Sequence, residues 1–286
     1  MAARPRTLPA AVAPVLVGTA LAMTDADLRV GGFVAALLGA ILIQVGTNLS
    51  NDYSDARRGA DTEERLGPVR VTAGGLVPPR QVLVATYVTF GLAVLCGAYL
   101  VYLAGPILLA IGAASILAGV LYTGGPRPYG YEGLGEVFVF LFFGVVAVTG
   151  SYYVQTERVT WEAFALAVPV GLLASGILVV NNVRDLETDR RAGKRTLAVR
   201  LGRQRTRTMF AVIVYLAFLL APVTWVFGPM KPWVLLPWLT LPLAAQIVRE
   251  VRNRTDGPSL NQALAHTGML QLAFCTLLSA GLLLSR

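Results

Sequence analysis

Long apolar runs separated by short polar stretches dominate this chain. Nine of these runs are about as long as a membrane-spanning helix, which needs roughly 20 mostly apolar residues. They cover approximately residues 8–23, 30–51, 81–103, 105–122, 134–153, 161–183, 208–227, 232–248 and 260–284. The pattern predicts an all-α integral membrane protein with nine transmembrane helices in one domain over residues 1–286. The first run is short and ends in Ala-Leu-Ala, which also fits a cleaved signal peptide.

Composition supports a protein that lies in a lipid bilayer. Hydrophobic residues make up 55% of the 286 residues and charged residues only 14%, whereas about 25% of the residues in soluble domains are charged. The net charge of +8 lies in the loops, where membrane topology alone would place it, so we expect no binding of nucleic acid. Cys96 and Cys275 lie inside apolar runs and His266 is the single histidine. Neither a disulfide framework nor a zinc site is therefore expected.

The basic residues predict an orientation in the membrane. With a cytoplasmic N-terminus, 20 of the 24 lysines and arginines, including Arg65 and Arg195, fall on the cytoplasmic side. The other four are Arg29, Arg158, Lys231 and Arg286. Retention of basic residues in the cytoplasm is the usual rule for membrane proteins. We therefore expect a multi-pass plasma membrane protein whose two long loops, at about 52–80 and 184–207, face the cytoplasm.

Each long loop begins with a cluster of asparagine and aspartate at the end of an apolar run. The clusters are Asn48, Asp52 and Asp55, and Asn181, Asp185 and Asp189. Residues four apart share one face of a helix, so each cluster aligns amide and carboxylate oxygens. Such oxygens are the preferred ligands of Mg²⁺. We expect the four aspartates to hold Mg²⁺ and to be catalytic, and the two asparagines to contribute to substrate binding. Matched spacing makes helix capping alone a poor explanation.

Basic residues after both clusters indicate a diphosphate substrate. Arg70, Lys194 and Arg195 are expected to neutralise its charge, arginine through paired hydrogen bonds and lysine as a point charge. Ionisation of an allylic diphosphate produces a carbocation that must be kept from water. A helical bundle in lipid offers a dry cavity for that step. The orientation in the membrane alone also explains the positions of many basic residues, without any contact to a substrate.

Glu136 and Tyr122 can each be interpreted in two ways. Glu136 lies just inside the fifth run, where an ionisable group is a catalytic candidate, but a carboxylate near a helix start also complements the helix dipole. Tyr122 begins a loop rich in glycine and proline that also holds Tyr129 and Tyr131. The loop could form part of a pocket for an aromatic substrate, or a tight turn anchored at the membrane interface.

The clusters also suggest an internal duplication. A shift of 133 residues aligns Asn48 with Asn181 and Asp52 with Asp185. Membrane folds are often built from repeats that meet at the binding site, which would bring the two clusters together.

Three segments resemble the UbiA superfamily of intramembrane prenyltransferases, namely residues 3–18, 51–62 and 181–198. The resemblance covers nearly the whole chain and implies nine helices around a central cavity, with a polyprenyl diphosphate bound through Mg²⁺. Within the superfamily, the segments are most similar to enzymes that prenylate 1,4-dihydroxy-2-naphthoate with loss of its carboxylate. The resemblance also implies that Arg6 lies near the cavity mouth. Where related enzymes often carry a third aspartate, this chain has Gly59, and the role of Asp61 stays open.

Two alternatives differ in substrate or in class. A UbiA-type enzyme could use another aromatic acceptor, such as 4-hydroxybenzoate or homogentisate, because acceptor choice depends on pocket shape. A cation-coupled transporter would also use aspartates. Transporter sites usually lie near the middle of the bilayer, however, whereas these clusters lie at the cytoplasmic ends of their runs.

Overall fold

The computed structural model describes residues 4–60, 66–67 and 70–286, and every regular element in these ranges is helical. The α-helices are α1 Pro9–Asp25, α2 Val30–Arg57, α3 Pro79–Ala104, α4 Ile107–Leu121, α5 Gly135–Val139, α6 Ala147–Thr156, α7 Trp161–Arg191, α8 Leu197–Leu201, α9 Arg203–Leu220, α10 Val223–Val226, α11 Leu241–Asn253 and α12 Gly257–Leu283. A π-helical segment, Phe140–Val146, joins α5 to α6, and a 3₁₀ segment, Pro232–Thr240, precedes α11. Asp61 and Arg65, named above, lie outside the described residues.

Eight helical segments in the described ranges are long and apolar enough to cross a membrane. The chain is thus a multi-pass membrane protein, as predicted, and eight of the nine predicted spans are confirmed. The remaining one is α4, whose 15 residues extend about 22 Å, less than the roughly 30 Å of a hydrocarbon core. Its flanks still reach both ends of α2. Leu108 packs with Val154 near the start of α2, and Thr123 donates to Asn51 near its end, at 2.9 Å.

Helix α7 forms the centre of the bundle. Its residues Leu166, Val170, Leu173 and Val180 are fully buried in a core shared with α1, α9 and α12. The outer face of α3 instead exposes large apolar side chains, for example Leu95 at 66%. Exposed apolar side chains suit contact with lipid tails, which are themselves apolar.

A close crossing of glycines packs the π-helical segment that follows α5 against α7. A β-carbon added to Gly144 would lie 2.5 Å from the α-carbon of Gly171, so no larger residue fits without moving the backbone. Small residues at such crossings let two membrane helices approach closely. The approach brings the start of α5 beside α7, where the Ser175 hydroxyl donates to the Glu136 carbonyl at 3.1 Å.

We expect Gly144→Ala to destabilise the protein. The added methyl group meets backbone atoms, and overpacking of this kind costs about 1–3 kcal/mol. At roughly 2–4 °C per kcal/mol, the melting temperature in detergent should fall by about 2–12 °C. The matched control is Gly91→Ala in α3, where an added β-carbon meets nothing within 4 Å. Equal melting temperatures for the two variants would show that the crossing is looser than described.

Candidate active site

A cavity of about 480 Å³ runs from the ends of α2 and α7 into the bundle. Its charged and polar end is lined by Asn48, Asn51, Asp55, Arg70, Tyr131, Asn181, Asp185, Asp189 and Lys194. The rest of the wall is mainly apolar, with residues such as Ile43, Ile116 and Phe142. Val94 of α3 and Leu109 of α4 also line it, and they are 55% and 66% exposed. The apolar end therefore reaches the lipid-facing surface between α3 and α4.

Helices α2 and α7 end with the same backbone turn. Gly59 and Gly193, with φ of 64° and 73°, adopt the left-handed conformation just beyond the two helices. In each case the N–H after the glycine donates to the carbonyl of the aspartate four residues before it, at 3.0 Å for Asp55 and 2.9 Å for Asp189. Glycine favours this ending because it lacks a β-carbon. The turn places the residue that follows each glycine back beside the last turn of the helix.

Lys194, the residue after Gly193, connects the two clusters. Its Nζ lies 3.8 Å from Asp55 Oδ1 and 3.8 Å from Asp189 Oδ1. The ammonium group also lies 4.7 Å from the centre of the Tyr131 ring, within the range of a cation–π interaction. One buried cation is thus shared by an aspartate from each helix.

Asp55 has two further donors. Arg70 donates to Oδ2 at 2.7 Å, and the Tyr131 hydroxyl donates to Oδ1 at 2.5 Å. The aspartate is 1% exposed and Arg70 8% exposed. A buried carboxylate needs such partners, because an unpaired buried charge is costly.

Asp52 points elsewhere. Its two oxygens accept the backbone N–H groups of Val71 and Thr72, at 3.2 and 2.9 Å, and its side chain is absent from the cavity wall. The sequence pattern predicts a metal ligand here. In the structure Asp52 anchors the segment that carries Arg70, so it supports the site from behind.

Arg184, which the sequence pattern did not single out, does not line the cavity but holds two residues that do. It holds both oxygens of Asp185, with Nε to Oδ1 at 2.7 Å and Nη2 to Oδ2 at 2.5 Å, and it also donates to Asn181 Oδ1 at 2.8 Å. Neighbouring residues on a helix do not normally face each other, so the spacing alone gave no reason to pair Arg184 with Asp185. The one sequence feature that could have identified Arg184 is its position between Asn181 and Asp185, inside the acidic cluster.

Glu136 lies behind the cavity wall rather than in it. Asn182, which does line the cavity, donates from Nδ2 to Glu136 Oε1 at 2.8 Å. Both side chains are buried, at 8% and 5% exposure. The sequence pattern did not single out Asn182, because the four-residue spacing to Asp185 selects its neighbour Asn181.

Aromatic rings form one side of the cavity near Asn182. Tyr122 packs edge-on against Tyr129, with ring centres 5.5 Å apart, and Tyr129 stacks on Phe138 at 4.0 Å. Burial raises the pKa of Tyr129 well above its usual range, so its hydroxyl stays protonated and donates to the Ala118 carbonyl at 2.8 Å. The loop thus contributes a wall of flat, neutral rings.

Two arginines from the sequence analysis lie away from the cavity wall. The Arg6 and Arg195 side chains are exposed and do not line the cavity. The Arg195 backbone N–H donates to the Tyr131 carbonyl at 2.8 Å, and its carbonyl accepts from Arg200 Nε at 3.1 Å. Near the N-terminus, Arg4 and Thr7 line the cavity instead.

The oxygen ligands at the polar end suit Mg²⁺ held jointly with a substrate. Among the described residues, no three acidic, histidine or cysteine side chains converge on one point. Mg²⁺ is commonly bound through one or two carboxylates plus substrate phosphates, so a complete protein cage is not required. Asp55, Asp185 and Asp189 supply carboxylates on the same cavity wall, and asparagine amides lie beside them.

Comparison with known proteins agrees with this geometry. Residues 11–281 match the model of the UbiA prenyltransferase family. The chain belongs to the UbiA prenyltransferase family. One relative, the 1,4-dihydroxy-2-naphthoate octaprenyltransferase of Mycobacterium tuberculosis, is 43% identical over 98% of this chain and 94% of its own. The Mycobacterium leprae protein of the same name is 41% identical over 99% and 95%.

The fold also matches solved structures of this family. A UbiA homologue from Archaeoglobus fulgidus bound to GPP and Mg²⁺ superposes with a TM-score of 0.71, at 16% identity, over 98% of this chain and 97% of its own. At that identity the match establishes the UbiA fold for this chain.

We expect Asp52→Ala to release the segment that carries Arg70. Hydrogen exchange at the Val71 and Thr72 amides should become at least about fivefold faster, because each loses its acceptor and a hydrogen bond contributes about 1 kcal/mol or more. The control is Asp189→Asn, which leaves both hydrogen bonds intact. Unchanged protection in Asp52→Ala would contradict the anchoring role.

Proposed function

We propose that this protein transfers a polyprenyl group from polyprenyl diphosphate to 1,4-dihydroxy-2-naphthoate. The reaction releases CO₂ and pyrophosphate and yields a demethylmenaquinol for menaquinone synthesis. The observation that carries the proposal is one cavity that joins a charged end to an apolar end open to lipid. The names of the two mycobacterial relatives, which match nearly the whole chain, support this acceptor.

The charged end is proposed to bind the diphosphate. Asp55, Asp185 and Asp189 would hold Mg²⁺, with the amides of Asn48 and Asn181 beside them. Bound Mg²⁺ would neutralise the diphosphate oxygens and stabilise pyrophosphate as a leaving group.

Basic side chains at the same end complete the charge balance. Arg70 and Lys194 line the cavity and already contact Asp55, so they lie within reach of phosphate oxygens bound there. Arg184 does not line the cavity and instead holds Asp185 in place. Asp52 keeps the Arg70 segment in place, and the proposal gives no part in the reaction to Arg6 or Arg195.

The rest of the cavity suits the bond changes of this reaction. The bond from the allylic carbon to oxygen breaks, its electron pair leaves with pyrophosphate, and the ring carbon that bears the carboxylate forms a new bond to the allylic carbon. Loss of the carboxylate as CO₂ returns an electron pair to the ring and restores aromaticity. The apolar wall would hold the prenyl chain and exclude water from the cation, and the Tyr122 and Tyr129 rings would orient the acceptor.

The proposed orientation has the charged end facing the cytoplasm from the plasma membrane, with residues 1–286 as one domain. The bundle supports it, because the basic residues expected outside gather at the opposite end. There Arg29 pairs with Glu157 at 2.7 Å, and Arg286 pairs with Asp27 at 3.1 Å. The orientation would give the active site access to cytoplasmic substrates.

The test is an assay of purified protein with Mg²⁺, a polyprenyl diphosphate and 1,4-dihydroxy-2-naphthoate labelled at the carboxyl carbon. We expect a prenylated product without label, release of labelled CO₂, and loss of turnover when a chelator removes Mg²⁺. A parallel reaction with 4-hydroxybenzoate is the control for acceptor choice. A product that keeps the label, or faster turnover of 4-hydroxybenzoate, would refute the proposed acceptor.

A further inference from the structure

The hydrogen bond between Glu136 and Asn182 fixes the direction of an amide in the cavity wall. Asn182 turns its NH₂ group toward Glu136, with Nδ2 2.8 Å from Oε1. The carbonyl oxygen of the amide then faces the other way. It makes no hydrogen bond to the described residues and is not enclosed, and Asn182 lines the cavity.

One side-chain oxygen of Glu136 accepts no hydrogen bond from the described residues. Its Oε2 is buried and has no hydrogen-bond partner among residues 4–60, 66–67 and 70–286. A buried carboxylate with one idle oxygen is costly to retain. Within the described part of the chain, its side chain bonds to Asn182 alone, because the Ser175 hydroxyl donates to the Glu136 backbone carbonyl.

The exposed amide oxygen lies beside the aromatic wall. A β-carbon at Gly135 would lie 3.3 Å from the Tyr122 ring, so Tyr122 packs next to the residue that precedes Glu136. Asn182 is three residues before Asp185 and seven before Asp189, or about 4.5 Å and 10 Å along α7. A flat ring bound against the tyrosines would thus meet a hydrogen-bond acceptor directly beside the charged end of the cavity.

We infer that Asn182 Oδ1 accepts a hydrogen bond from a hydroxyl group of the aromatic acceptor, and that Glu136 is the positioning residue that holds the amide in this direction. The inference rests on the proposed function, since it concerns the acceptor of that reaction. A site that binds a substrate hydroxyl through a directed polar group discriminates strongly against analogues without it.

The test measures binding by equilibrium dialysis for three naphthoates. They are 1,4-dihydroxy-2-naphthoate and the two analogues that lack one hydroxyl, 1-hydroxy-2-naphthoate and 4-hydroxy-2-naphthoate. The wild-type protein should bind the diol about 10- to 100-fold more tightly than one of the analogues, the range expected when one buried hydrogen bond is left unmade. In Asn182→Leu that preference should fall below about threefold, while affinity for polyprenyl diphosphate stays unchanged.

Variants of Glu136 separate positioning from general stability. Glu136→Leu should lose the same preference, and the double variant with Asn182→Leu should be no worse than Asn182→Leu alone, because the two residues act as one unit. Glu136→Gln should restore most of the preference, since its amide oxygen can still accept from Asn182. Ser175→Ala, which touches only the Glu136 backbone, is the matched control and should bind like the wild type.

Two results would overturn the inference. If Asn182→Leu weakens binding of the diol and of both analogues equally, the Asn182 amide does not bind a hydroxyl group of the acceptor. The proposed function would survive that result. If the wild-type protein shows no saturable binding of the diol, the proposed acceptor is wrong and the inference falls with it.

Discussion

Burial of aspartates from two helices at one end of the bundle is the constraint on which the structure depends. Asp55 and Asp189 each contact Lys194, and Asp185 is held by Arg184. Without these cations the carboxylates would repel one another and bear the full cost of leaving water. The charged contacts therefore set how closely the ends of α2 and α7 can approach, and this approach closes the polar end of the cavity.

The same ion pairs also fit the proposed binding of a diphosphate. Lys194 and Arg70 balance the carboxylates in the protein alone, but the arrangement of alternating charges also matches a metal diphosphate, in which cations and phosphate oxygens alternate. Under the proposed function, a substrate would exchange partners with these side chains without leaving any of the charges unpaired. The Gly193 turn makes this possible, because it returns Lys194 to the end of its own helix.

Much of the fold followed from local pattern, whereas the choice among neighbouring polar residues did not. Apolar runs predicted the helices, and the clusters predicted which helix ends meet. Yet Asp52 and Asp55, one helical turn apart, face different surroundings, because the packed segment from Arg70 onward covers one of them. Similarly, Asn182 rather than Asn181 contacts Glu136, which depends on how α5 crosses α7. Helix packing decides which way such side chains point, and the pattern within one helix does not specify that packing.

The suggested duplication shows the same limit. A shift of 133 residues aligned Asp52 with Asp185, but Asp55 and Asp189 occupy the equivalent place four residues before a left-handed glycine. Their shift is 134 residues. The two helix ends are thus alike in backbone geometry, while the deeper aspartates have different partners, a backbone segment for Asp52 and an arginine for Asp185.

The most direct test of the central claim is the melting temperature of Lys194→Met in detergent, measured with and without Mg²⁺. Without Mg²⁺ the variant should melt on the order of 5 °C or more below the wild type, since removal of one partner from a buried ion pair is destabilising. Mg²⁺ should then raise its melting temperature more than that of the wild type, because the ion can replace the missing charge between Asp55 and Asp189. Lys231→Met, which removes an exposed lysine at the opposite end, should respond like the wild type. An equal response to Mg²⁺ in Lys194→Met and the wild type would contradict the account.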